Sequence, residues 1–294
     1  MRVFVTGATG MVGTAVIREL HAAGHEVLGL ARSEAAAAKL TAAGVAVHRG
    51  SLTDLAGLRD GATRADAVIH TAFVHDFTDF EASVATDRAA VEALCEALVG
   101  SDKPLLITSG TPGDGSDEDT VPPLDSPVAG RFVTEELALS YVERGVRVAI
   151  VRLPRSVHGE PDTNGFVPIM IEAARRSGFS AYIDDGTKNF CAVHLLDAAR
   201  LYLRVLEAAP AGVRAHAVGD GAIPGRELAE TIGRRLDLPT KSLPAAEAAD
   251  HLGFVGLIIS TDQSTSAEAT RARFDWEPIH PGLLADLEQD HYFA

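Results

Sequence analysis

The sequence predicts an α/β protein built on a doubly wound parallel sheet, with a smaller C-terminal region. Three observations carry that prediction. Strand-like and helix-like segments alternate over the first half of the chain. A glycine-rich turn joins the first strand to the first helix. Regularity then gives way to Pro and Gly punctuation beyond Leu153. Strands are expected over 2–6, 26–30, 45–48, 67–71, 104–108 and 146–153, each short and apolar. A helix over 12–23 stops at Gly24, and one over 34–43, with Ser33 as its cap, stops at Gly44. Gly ends helices well because it tolerates the left-handed turn. Longer helical patterns run over 80–99 and 130–144. Such alternation argues for a parallel sheet covered on both faces by right-handed crossovers. Past Leu153 the residues Pro154, Gly159, Pro161, Gly165, Pro168, Gly178 and Gly186 break the pattern, and helices are expected over 195–208 and 226–236. The expected division is therefore 1–153 and 154–294, with a segment at about 189–208 returning to the first domain.

The 294 residues are 46% hydrophobic and 23% charged, a globular composition with ample length for a core. Acidic residues outnumber basic ones by 41 to 26, a formal charge of −15, and no run of Lys or Arg interrupts it. Such a surface repels phosphate backbones, so a nucleic-acid partner is not expected. The two cysteines, Cys95 and Cys191, make no disulfide framework, and no Cys/His spacing fits a metal. The N-terminus reads as a strand and not as a signal peptide, and no apolar run approaches the roughly 20 residues of a membrane span. A cytoplasmic protein with neither membrane nor metal is the expectation.

The informative segment is Thr6-Gly7-Ala8-Thr9-Gly10-Met11-Val12-Gly13. It has the strand–turn–helix context that a dinucleotide-binding fingerprint requires. Gly7 permits the tight turn, Gly10 the close approach of a pyrophosphate, and Gly13 the packing of helix on sheet. Backbone N–H groups around Met11 and Val12 face the phosphates at the positive end of the helix dipole.

This motif resembles the short-chain dehydrogenase/reductase superfamily, in particular its extended and atypical branches related to epimerase/dehydratase enzymes, which implies a Rossmann-like core. Further segments resemble the family in order along the chain. Val68-Ile69-His70-Thr71-Ala72 is similar to the fourth strand, whose end passes under the cofactor, and Leu106-Ile107-Thr108-Ser109 to the fifth. Val151-Arg152-Leu153-Pro154 with Val157-His158-Gly159 resembles the Arg-x-Pro…Tyr-Gly segment. Val193-His194-Leu195-Leu196-Asp197 resembles Val-His-x-x-Asp, and Phe274-Asp275-Trp276-Glu277-Pro278 resembles Gly-Trp-x-Pro with Asp275 in place of Gly. Gly50-Ser51-Leu52 is similar to the Gly-Asp-Leu adenine contact, with Ser51 in place of Asp. The resemblance thus implies cofactor contacts at Gly7, Thr9, Gly10, Met11, Val12, Gly13, Ser51, Leu52, Thr71, Ala72, Thr108 and Pro154.

The second strand ends without the acid that usually receives the 2′-hydroxyl of NAD, and continues Arg32-Ser33. A guanidinium fork and a hydroxyl suit a 2′-phosphate, which favours NADP(H).

Most such reductases use a Tyr with a Lys four residues on, and a Ser at the end of the fifth strand. The helix here reads Ser126-Pro127-Val128-Ala129-Gly130-Arg131-Phe132-Val133-Thr134-Glu135. The aligned Tyr position is Pro127 or Val128, and the Lys position Arg131 or Phe132. Ser109, Thr111 and His75 are the remaining candidates for proton delivery, and His158, after the sixth strand, is a further one. His194 and Asp197 are expected to dock the C-terminal region. The run 113–119 is read as a solvated loop and not a calcium site. Three functions follow: an NADP(H)-dependent oxidoreductase acting on a small carbonyl, imine or conjugated molecule; a non-catalytic NADP(H) sensor; or a non-redox isomerase or epimerase. A homodimer is expected through Ala89, Ala90, Ala93, Leu94, Ala97 and Leu98 of the 80–99 helix.

Overall fold

The computed structural model describes residues 1–76, 79–122, 129–160 and 162–294. The elements of the first half are β1 (Arg2–Thr6), α1 (Met11–Ala22), β2 (Glu26–Ala31), α2 (Glu34–Ala42), β3 (Ala46–Arg49), α3 (Leu55–Thr63), β4 (Ala67–His70), α4 (Phe80–Leu98), β5 (Pro104–Gly110), α5 (Ala129–Ser140), a 3-10 turn (Tyr141–Arg144) and β6 (Arg147–Leu153). There follow β7 (Ser156–His158), α6 (Phe166–Ser177), β8 (Ser180–Ile183), β9 (Asn189–His194), α7 (Leu195–Ala208), β10 (Val213–His216), β11 (Asp220–Pro224), α8 (Gly225–Leu236), β12 (Thr240–Leu243), α9 (Ala245–Leu252), α10 (Phe254–Ile259), α11 (Glu268–Phe274) and α12 (Leu283–Asp286).

The chain forms two compact units. The first comprises Met1–Gly110, Val121–Arg152 and Ala199–Ala215. Its sheet has the order β10-β6-β5-β4-β1-β2-β3, and β1 pairs in parallel with both β2 and β4. The strand order therefore reverses between β1 and β4, where the carboxyl ends of a parallel sheet open into a crevice. The core under this edge is built of Phe4, Leu28, Val68, Leu94, Leu105 and Ile150 with their neighbours. Of the residues expected at a dimer interface, Ala90, Ala93, Leu94 and Leu98 are fully buried and Ala89 and Ala97 are half-buried. The exposed positions of α4 are Glu81, Ala82, Ala85, Arg88, Glu92 and Glu96. The small residues let α4 pack closely between α3 and α5.

The second unit comprises Thr111–Thr120, Leu153–Ala198 and His216–Ala294. It holds the three-stranded sheet β11-β9-β7 and the β12-β8 pair over a core that includes Ile171, Phe190, Ile223, Leu228 and Leu283. The segment of this half that lies in the first unit is 199–215, sharing 199–208 with the expected one, while β9 is held between β7 and β11. The acidic run also departs from expectation. Glu118 is buried and accepts from the backbone N–H and the hydroxyl of Thr270, both at 2.6 Å, and Ser116 donates to Thr265 Oγ1 at 2.9 Å. These bonds pin the loop, whose exposed acids are only the alternate residues Asp117 and Asp119 together with Asp114.

Candidate active site

The glycine turn lies at the C-terminal end of β1, at the strand-order reversal. Gly7 sits at φ +67°, where a side chain would be strained, and a Cβ there would come within 2.6 Å of Thr71 Oγ1. A Cβ on Gly13 would stand 2.1 Å from the Gly7 carbonyl oxygen, so helix α1 can start only on a glycine at that position. Gly10 differs. It is exposed and extended, and its Cβ would meet only Gly7 O at 3.2 Å. As the N-cap of α1 it brings no side-chain oxygen. The first-turn N–H groups at Met11 and Val12 are then left for a ligand anion. This is the chemistry a pyrophosphate needs, and the residues fit it.

Around this turn stand the other positions expected to contact a cofactor. Thr71, after β4, donates to Thr6 O at 2.8 Å, and Ala72 N reaches Thr6 Oγ1 at 3.4 Å. Ser51 and Leu52 follow β3, with Ser51 Oγ 2.9 Å from Thr53 Oγ1. Arg32 is exposed at the end of β2. Ser33 Oγ accepts from Ala36 N at 3.1 Å and so caps α2. Its oxygen serves the helix, and its O–H remains for a ligand. One further cation has no sequence signature: Lys39 Nζ donates to Thr9 O at 3.0 Å and so tethers α2 to the turn. Only the fold brings the two together. Pro154 belongs to the second unit.

At the end of β5, Thr108 Oγ1 donates to His70 O at 2.7 Å and also meets Tyr202 OH at 2.7 Å. Ser109, the next residue, is buried, and its hydroxyl has no hydrogen-bond partner among the described residues. Buried hydroxyls are nearly always paired, so an orphan at a strand end calls for an explanation. Thr111 belongs to the second unit, where its hydroxyl lies 3.6 Å from Cys191 Sγ and its carbonyl accepts from Gln263. His75 is exposed in the loop after β4, with its ring edge-on to Phe73 at 5.4 Å. Desolvation, and then the Arg131 guanidinium, push its pKa below the ordinary histidine value.

The aligned Tyr positions, Pro127 and Val128, lie outside the described residues. Of the two aligned Lys positions, Phe132 is in the core and Arg131 is partly exposed. Arg131 Nη1 donates to Asp87 Oδ2 and Nη2 to Thr108 O, both at 2.7 Å. Tyr141 is buried and donates to Glu96 Oε1 at 2.6 Å, while its neighbour Arg144 stacks on its ring.

The other candidates lie in the protein interior. Burial pushes the Cys95 thiol up to about 12, and Cys191 is likewise raised by burial. Neither is a nucleophile at neutral pH. His158 is fully buried with Nδ1 2.8 Å from Asp286. Asp197 accepts from Ile279 N, His280 N and His280 Nδ1, and its carbonyl accepts from the Trp276 indole at 2.9 Å. It thus fastens the C-terminal segment. Asp275 is left-handed at φ 45°, ψ 50°, which accounts for the glycine usual at that place.

The parallel sheet, the glycine turn at its reversal and the hydroxyls at its carboxyl edge define a dinucleotide-binding oxidoreductase-type fold. The chain belongs to the NAD dependent epimerase/dehydratase family, whose description matches residues 3–219. It is 43% identical to an uncharacterized protein of Schizosaccharomyces pombe over the whole of both chains. It is 30% identical to a 4-hydroxy-2-methyl-3-oxo-4-farnesyl-3,4-dihydroquinoline-1-oxide ketoreductase of Stigmatella aurantiaca, covering 86% of this chain and 80% of the other. In fold it is similar to a dTDP-glucose 4,6-dehydratase of Bacillus anthracis in complex with NAD, with a TM-score of 0.77, 16% identity, and 100% and 96% of the two chains covered. Membership and the reductase relatives support an enzyme of oxidoreductase or epimerase type that depends on a nicotinamide dinucleotide.

Proposed function

We propose that this protein is an NADP(H)-dependent reductase of a small carbonyl, imine or conjugated compound, in which Ser109 takes the part usually given to a tyrosine. The observation that carries the reading is the buried, unpartnered hydroxyl of Ser109 at the end of β5. The glycine turn and the N-terminus of α1 would hold the pyrophosphate. Arg32 and the Ser33 O–H would receive the 2′-phosphate, with Lys39 fixing the turn from behind. When bound, the nicotinamide supplies the hydride. The Ser109 O–H donates toward the substrate oxygen as negative charge develops there, and a buried donor stabilises that charge more than water can. His75, in the loop after β4 with its pKa held low, relays a solvent proton to the oxyanion, taking it on one ring nitrogen and giving one from the other to form the alcohol. The ketoreductase and reductase relatives support the direction of the reaction.

The test is a panel of ketones, aldehydes, imines and enones with NADPH and NADH, followed at the nicotinamide absorbance. Turnover with NADPH preferred is the expected result. Tight NADPH binding with no turnover of any compound would overturn the reductase reading in favour of a sensor. Epimerised product without net consumption of cofactor would overturn it in favour of an isomerase.

A further inference from the structure

Within the first unit a buried chain of polar groups begins at the glycine turn and ends at the tip of β5. Thr6, the last residue of β1, has its hydroxyl 2.8 Å from His70 Nδ1. His70 Nε2 lies 3.1 Å from Asp87 Oδ1, and the other oxygen of Asp87 accepts from Arg131. Thr6, His70 and Asp87 are each at most 1% exposed. A carboxylate only accepts, so His70 donates from Nε2 to Asp87, and its Nδ1 is engaged by the Thr6 hydroxyl. Asp87 follows the same logic: burial alone would raise its carboxyl, but Arg131 and then the His70 hydrogen bond outweigh burial and hold it below the ordinary value.

Arg131 is the outward end of this chain, and it touches three separate pieces of the site. One arm is on Asp87 of α4, the other on the carbonyl of Thr108, the residue before Ser109. Its Cζ lies 4.3 Å over the ring of Phe73, and that ring packs edge-on against His75. A planar guanidinium can make two in-plane hydrogen bonds and one face contact together, and a lysine ammonium cannot.

We infer that Arg131 is a positioning residue: held rigid by Asp87 and His70, its guanidinium sets both the strand end that carries Ser109 and the loop that carries His75. This rests on the reductase reading for the roles of Ser109 and His75. The fork and stack oppose drift of either group, and misplacement by about 1 Å costs of order 100-fold in rate.

The experiment is NMR titration of the His75 imidazole, assigned through His75→Gln, in wild type, Arg131→Gln and the double variant Asp87→Asn/Arg131→Gln. The double variant leaves no lone buried charge, so it carries the test should the single variant fail to fold. Both variants are expected to raise the His75 pKa because the Arg131 charge is lost, while desolvation, the larger cause, still holds it below the ordinary 6.5. Turnover is expected to fall about 10- to 100-fold while KM for NADPH changes less than about twofold. An unchanged His75 titration in the folded double variant overturns the inference, whatever the turnover. An equal rise of KM with no loss of kcat also overturns it. A shifted titration in a protein that reduces nothing leaves Arg131 in its role and sinks the reductase reading instead.

Discussion

Removing the Ser109 hydroxyl should damage catalysis while leaving the fold as stable as before or more so. The side chain is 4% exposed and its Oγ is unpartnered. A buried hydroxyl without a partner costs about 1–3 kcal/mol of desolvation, which Ser109→Ala relieves. Against that stands the small void left by one oxygen, about 1 kcal/mol. The net change lies between zero and a gain of about 2 kcal/mol. At about 2–4 °C per kcal/mol for a large domain, Tm should hold or rise by up to about 8 °C. Turnover should fall about 10²–10³-fold, or about 3–4 kcal/mol of lost barrier lowering. Calorimetry and initial rates on one preparation check both. A Tm lowered by several degrees would mean that the hydroxyl is paired inside the protein. Unchanged turnover would mean that it is not the donor. Either result refutes the reasoning, since the two signs derive from the same orphaned oxygen.

Arg32→Ala should weaken NADPH about 10- to 150-fold by titration and leave NADH nearly unchanged, as loss of a charge-assisted contact worth about 1.5–3 kcal/mol requires; equal affinity of the wild type for both cofactors would remove its basis. Gly13→Ala should abolish dinucleotide binding and destabilise the first unit, because its Cβ would stand 2.1 Å from a backbone oxygen, whereas exposed Gly10→Ala should fold normally and lose only affinity. Tyr141→Phe should cost about 1 kcal/mol in denaturant melts through loss of the Glu96 bond and leave turnover unchanged; a hundredfold loss would place the donor on this helix after all. For Asp262, burial alone would raise the carboxyl, but bonds from Ser264 and Asn189 outweigh it and hold the group at about 2, below its ordinary 3.8. Its stabilising contribution is therefore full above the ordinary value and lost as pH falls through the folded one. Asp262→Asn should flatten the acid limb of the stability curve in that interval, and an unaltered limb would show the bonds to be idle.

The family, the parallel sheet and the phosphate-binding turn were legible in the residues themselves because their causes are local. Gly7, Gly10 and Gly13 answer to steric demands within one turn, and the caps at Ser33 and Gly24 act over three or four positions. Helix α7 has the expected bounds because an apolar stripe repeating every few residues specifies it. What depended on partners far along the chain was not legible. Arg131 and Phe132 align equally well to the family, and only packing sends Phe132 into the core and leaves Arg131 to meet Asp87, 44 positions away. Ala90 and Ala93 look like Ala82 and Ala85 in sequence, and only packing buries the first pair and exposes the second. Glu118 reads as one more acid of a solvated loop until Thr270, 152 positions on, supplies its two donors. Lys39 reads as a surface cation until the fold sets it on Thr9. Local sterics and periodicity are written in neighbouring residues. Hydrogen-bond partners and faces of contact are chosen by closure of the chain, which no short pattern records.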